Sequence, residues 1–173
     1  MAMPPSPGAR AEPFEDERHL IKTPAALRDM SIAIVAQTRD ELLLFDDALT
    51  PDLYNSSAFV DAVRTLALAR SAPCIRILLA DPRPSGRMHS RLIELANRLT
   101  SRIAIRQLGD DFKHRTDAFL IGDRRAYVRR ALATRQEAVA DPRGRREARR
   151  LGRDFERMWE HSEATVELRR LHL

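Results

Sequence analysis

Residues 116–130, TDAFLIGDRRAYVRR, hold an apolar run (Ala118, Phe119, Leu120, Ile121), then Gly122-Asp123 and two arginines, then a second short apolar run at Ala126, Tyr127 and Val128. Apolar runs of this length broken by Gly-Asp predict a buried strand, a turn and a returning strand. Upstream, the β-branched run Ser31–Ala36 reads as a strand buried on both faces, followed by a second strand at Leu42–Phe45. Asn55-Ser56-Ser57 supplies capping side chains for a helix from about Ala58 to Arg70 with Phe59, Val63 and Leu66 on its core face. Ile75–Ala80 reads as a strand, Ser85 caps a helix lined by Met88, Leu92, Leu95 and Leu99, and Ile103 and Ile105 alternate as a half-exposed strand. Downstream of the hairpin, Ala148, Leu151, Phe155, Met158 and Trp159 share one face of a helix over about Arg145–His161. Strands alternating with helices in this order predict an α/β layered sandwich, a mixed sheet flanked by helices.

The chain has 173 residues, one domain by length, with 43% apolar and 32% charged residues. Residues 1–19 carry Pro4, Pro5, Pro7 and Pro13 among alternating charges and are expected to be a disordered leader, leaving 20–173 as the domain. The N-terminal stretch has neither a basic start nor an apolar core, and no run approaches the roughly 18–20 apolar residues of a membrane span. A cytoplasmic protein is expected. The single cysteine, Cys74, excludes an internal disulfide and any multi-thiolate metal site. A net charge of +5 favours anionic partners, although Lys22 and Lys113 are the only lysines and the arginine excess is a skew that genome composition alone produces.

The order of elements resembles the repeat unit of the phospholipase D superfamily from about Ser31 to Ser162. That family carries His-x-Lys-x-x-x-x-Asp on one strand and Gly-Ser-x-Asn beyond the returning strand. Counting back from Asp123 places Thr116 at the histidine and Ala118 at the lysine, and Arg129-Arg130-Ala131-Leu132 stands where the second motif belongs. The chain looks like a bacterial group of phospholipase D-like proteins with a degenerate catalytic pair. The resemblance implies a single phospholipase D-like domain whose nucleophile and phosphate clamp are missing, with Asp123 kept to orient the turn. Catalytic members need two motif copies and this chain holds one. A non-enzymatic accessory, sensory or interaction module is the expectation, with a protein partner or a homodimer through the old active-site edge. A phosphodiesterase with displaced catalytic residues is the competing enzyme reading, with Thr116 as its nucleophile.

Two arginine sets carry the binding expectations. Arg124, Arg125, Arg129 and Arg130 flank the vestigial motif and are candidate anion donors, since guanidinium binds phosphate bidentately without turnover. Arg146, Arg149, Arg150 and Arg153 fall at i, i+3, i+4 and i+7 on the last helix, a stripe able to track the phosphates of a nucleic acid. Glu147, Asp154, Glu156 and Glu160 interrupt that stripe and supply internal ion-pair partners, and no aromatic residue sits in it to stack bases. The five histidines are scattered without ligand spacing, and the pairs Asp46-Asp47 and Asp110-Asp111 read as turn and cap residues, so neither a metal nor a cofactor is expected.

Overall fold

The computed structural model describes residues 17–69, 75–82 and 90–164. The expected leader up to residue 16, Cys74, Ser85, Met88 and the closing ELRRLHL lie outside them. In chain order the elements are β1 (His19–Ile21), α1 (Pro24–Gln37), β2 (Leu42–Asp46), α2 (Pro51–Tyr54), α3 (Ser57–Ala69), β3 (Ile75–Leu79), α4 (Arg91–Arg98), β4 (Ile103–Gln107), β5 (Ala118–Gly122), β6 (Ala126–Arg130), β7 (Ala138–Asp141), α5 (Arg145–Glu160) and β8 (Glu163–Ala164). The strands form one mixed sheet in the order β1-β7-β6-β5-β2-β3-β4-β8. Strands β2, β3 and β4 run parallel, and every other pairing is antiparallel.

The expected strand at Ser31–Ala36 is the C-terminal half of α1. Thr23 caps that helix, its hydroxyl accepting from the Ala26 amide, and Pro24 opens its first turn. Leu27, Ser31, Ile34 and Val35 are the buried positions, a helical spacing that the β-branched composition of SIAIVA masks. The Ser31 hydroxyl donates to the Leu27 carbonyl at 2.7 Å, so the polar residue in the buried face is satisfied. The sheet gains its outer strand elsewhere: β1 begins at His19, within the stretch expected to be leader, and pairs with β7. Helix α4 is capped by Ser90, whose Oγ accepts from the Ile93 amide, and it buries Leu92 and Leu95 as expected.

Because strand residues alternate between faces, the sheet separates two cores. Leu42, Leu44, Ile75, Ile77, Leu79, Leu120 and Val128 face α1, α3 and α4, meeting Ile34, Phe59, Val63 and Leu92. Leu43, Phe45, Leu78, Phe119, Ile121 and Tyr127 face α5 and meet Ala148, Leu151, Phe155 and Met158. Each apolar run of the hairpin is therefore buried on both sides, as β5 is along its whole length. At the end of β5 the packing is tight. A β-carbon added at Gly122 would lie 2.2 Å from Thr38 Oγ1, which itself donates to the Ile34 carbonyl. Gly122→Ala is expected to cost about 2–3 kcal/mol by overpacking, read as a lowered denaturation midpoint at unchanged denaturant slope.

Candidate functional site

The hairpin that joins β5 to β6 turns on Asp123 and Arg124, both at φ 52°, with the Arg125 amide donating to the Gly122 carbonyl at 2.9 Å. Gly122 pairs with Ala126, so the loop is the three residues Asp123–Arg125, and aspartate is among the residues that adopt left-handed backbone most readily. The Asp123 carboxylate accepts from the backbone amides of Arg39, Asp40 and Glu41 at 2.8–2.9 Å, which fixes the α1–β2 connection against the hairpin tip. Arg124 crosses α5 at Gly152, whose missing side chain leaves room for the guanidinium. There Arg124 and Arg76 share Glu41 and Glu156 in a four-membered ion-pair cluster that clamps α5 to the sheet. The glycine that weakens α5 as an isolated helix thus makes room for this clamp.

Thr116 is exposed just ahead of β5, and its carbonyl accepts from the Ala133 amide. Ala118 is buried and lies directly across from Arg130 on β6. The next strand over, β2, ends at Asp46 on the same face. Arg130 reaches over the small Ala118 side chain to Asp46, at 2.5 Å, and also donates to the Ala133 carbonyl at 2.6 Å. Both partners are nearly inaccessible, at 4% and 1% exposure, and the Tyr54 hydroxyl hydrogen-bonds the pair from α2. Asp46, read from sequence as a turn residue, is instead the anchor of a buried ion pair occupying the space beside the lysine position.

Burial pushes the Asp46 carboxyl up to about 6, against the opposing pull of Arg130, Tyr54 and the Asp47 amide. Glu41 moves the other way: burial alone would raise it, but hydrogen bonds and charge from Arg124 and Arg76 hold it below its ordinary value of 4.5. Hydrogen bonding from Arg76 likewise lowers Glu156. The signs predict a two-part acid response. As pH falls from about 6 toward 3.8, folded Asp46 takes up a proton before the unfolded chain does, which adds stability. Below about 4.5 the depressed glutamates withdraw theirs, since their stabilisation is present above the unfolded value and lost on protonation. Denaturation midpoints across pH 7 to 3 are expected to hold or rise slightly and then fall, with the early rise absent in Asp46→Asn.

The four candidate anion donors do not converge. Arg124 and Arg125 stand at the hairpin tip, while Arg129 and Arg130 stand at the far end of β6, roughly 13 Å away for a five-residue strand. Arg130 and Arg124 are committed to carboxylates, and Arg125 is exposed at the tip. Arg129 faces the other way from Arg130 and joins the second set. A half-open groove of about 590 Å³ lies between the N-terminal half of α5 and strands β6 and β7, lined by Arg18, Arg129, Arg146, Arg150 and Arg153, with Tyr127, Val139 and Gly144 beneath and Asp141 and Glu147 as its acids. Arg149 is exposed on the same helix, outside the groove lining. The sequence placed Arg129 and the α5 stripe in separate candidate sites; the strand pairing of β6 with β7 beside α5 puts them in one.

Of the acids interrupting the stripe, Glu147 and Asp154 both pair with Arg150, while Glu156 turns away from it. Glu156 reaches inward to Arg76 and Arg124, and the Asp154 side chain, 12% exposed, pairs with Arg115, Arg157 and, at 3.4 Å, Arg150. Glu147 pairs with Arg150 through both oxygens. Among the described residues, Arg146, Arg149 and Arg153 are left with no carboxylate partner. Arg129 Nε is buried without a hydrogen-bond acceptor, 4.0 Å from Asp117. Among the described residues no three His, Cys, Asp or Glu side chains come together as a metal site, and no helix is long and apolar enough to cross a membrane.

A mixed eight-stranded sheet covered by helices on both faces, with β5 near its centre, is an α/β layered sandwich with a phospholipase D-like fold. The chain belongs to the family described as Domain of unknown function (DUF7931), whose model matches residues 23–171. A search of the curated proteins found no match. Among solved structures, Nuc from Salmonella typhimurium, a phospholipase D family member, is similar over 87% of this chain and 99% of its own, at 16% identity and a TM-score of 0.60. NucT from Helicobacter pylori is similar over 87% and 100%, at 13% identity and 0.59. The archaeal chromatin protein TrmBL2, described as showing a novel mode of DNA binding, is similar over 89% of this chain at 16% identity and 0.62, and this chain spans 56% of its length.

Proposed function

We propose that this domain is a non-catalytic phospholipase D-like module that holds an anionic, phosphate-bearing partner in the arginine groove between α5 and β6–β7. The observation that carries the reading is the convergence of Arg18, Arg129, Arg146, Arg150 and Arg153 on one concave surface, with only Asp141 and Glu147 as acids in its lining. Guanidinium groups in such a cleft raise the local concentration of anions and bind phosphate oxygens in pairs. At the old catalytic position, Ala118 offers no cation and Thr116 has no base among its hydrogen-bond partners, so covalent attack on phosphorus lacks both its nucleophile and its clamp. The likeness to a chromatin protein with a DNA-binding mode makes a nucleic acid the favoured class of partner.

The test pairs turnover with retention. Purified protein is expected to release no product from a chromogenic phosphodiester, and to be retained on a heparin column with an elution position that shifts strongly with salt. Phosphodiester turnover abolished by Thr116→Ala would overturn the non-catalytic part. Retention unchanged by Arg146→Gln combined with Arg153→Gln would remove the groove.

A further inference from the structure

Resting on that reading, we infer that the groove grips the phosphate backbone of a double-stranded nucleic acid without reading its bases. The cations sit on a rigid frame. Arg146, Arg150 and Arg153 line the groove from a sixteen-residue helix, and from first to last they span about 10 Å along its axis at 1.5 Å per residue. One strand of a duplex presents a charge about every 3.4 Å of helix axis, so this interval covers about three phosphate steps. Arg18, just ahead of β1, and Arg129 on β6 provide cations across the groove. A fixed row of charges matched to a fixed row of phosphates loses little conformational entropy on binding.

The aromatic side chains argue against a single strand. Binding of unpaired nucleic acid draws much of its affinity from stacking bases on exposed rings. Tyr127, the aromatic residue of the groove, is 4% exposed and forms its floor. The two rings of α5 are unavailable as well: Phe155 is fully buried, and Trp159 stacks on Phe155 with Arg106 over its own ring. What the groove offers outward is guanidinium. Phosphate contacts position a duplex and carry no sequence information by themselves.

The experiment measures binding of the full chain to a labelled duplex of about two helical turns, in DNA and RNA form, to a single strand of equal length, to a mononucleotide, and to vesicles of phosphatidylserine in phosphatidylcholine. Expected is duplex binding at least about ten-fold tighter than single-strand binding, indifferent to sequence, with a log–log salt slope between about −4 and −5 for five phosphate contacts. Equal affinity for DNA and RNA duplexes supports charge alone as the determinant, and a preference for one names the source. Arg146→Gln/Arg153→Gln, both exposed positions with no carboxylate partner among the described residues, is expected to flatten the slope by about two units, whereas Arg64→Gln on α3 leaves it unchanged. A single strand or vesicle that binds as tightly as the duplex through these arginines overturns the duplex inference and leaves the anion groove standing. Absence of binding to every polyanion, with the protein folded, overturns both.

Discussion

Replacing Arg130 by alanine is expected to destabilise the domain by about 3–5 kcal/mol, because it leaves a buried carboxylate without its counter-charge. Arg130 is 4% exposed and Asp46 1%, and the same guanidinium also satisfies the Ala133 carbonyl. The loss should shrink at mildly acidic pH. Burial already pushes Asp46 up to about 6 against the pull of Arg130, and losing that pull raises it further, so at pH 5 the orphaned carboxyl is protonated and its desolvation becomes cheaper. Removing both members, as in Asp46→Leu with Arg130→Met, is expected to recover at least half of the loss, since a packed apolar pair of similar volume replaces charge in an apolar layer. Urea denaturation at pH 8 and pH 5 reads all three comparisons. A single Arg130→Ala variant within 1 kcal/mol of the parent at pH 8 would show that the pair carries little of the fold's stability.

Restoring the lysine of the catalytic motif is the second large expected effect. Ala118 is 1% exposed and lies under the path of Arg130 to Asp46. Ala118→Lys adds three carbons and a second cation to that layer, and a loss of about 3 kcal/mol or more is expected from overpacking and like charge. Combining Thr116→His with Ala118→Lys should therefore give no phosphodiester turnover, since the space where a phosphate would bind is occupied. If the double variant folds at parental stability and gains turnover, then Arg130 yields its place and the old centre is still accessible.

Much of the fold was legible in the residues. The paired apolar runs around Gly122-Asp123 give β5 and β6, because a strand buried on both faces needs unbroken apolar residues and its return needs a turn that accepts positive φ. The buried stripe Ala148, Leu151, Phe155 and Met158 gives α5 at its correct position. Ser31–Ala36 failed for an identifiable reason. Its β-branched side chains favour a strand locally, but a Thr-Pro cap eight residues upstream and the burial of every third or fourth residue make it the end of α1. Short strands such as β1 and β7 escaped notice because three or four residues carry too little pattern to separate a strand from a loop.

The candidate site was legible only in part. The α5 stripe and the Thr116–Asp123 spacing lie along single elements, which a linear sequence records directly. Whether Arg129 belongs with Arg130 or with Arg146, Arg150 and Arg153 depends on which face of β6 each side chain takes, and on which helix lies against that face. The amino-acid sequence by itself determined that the hairpin is buried, that α5 is basic outside and apolar inside, and that Thr116 and Ala118 precede Phe119, Leu120 and Ile121. The tertiary structure alone decided that Arg130 turns inward to Asp46 while its neighbour Arg129 turns outward to the groove. Adjacent strand residues point to opposite faces, so two identical side chains one residue apart meet a buried carboxylate in one case and a solvent-facing arginine cluster in the other.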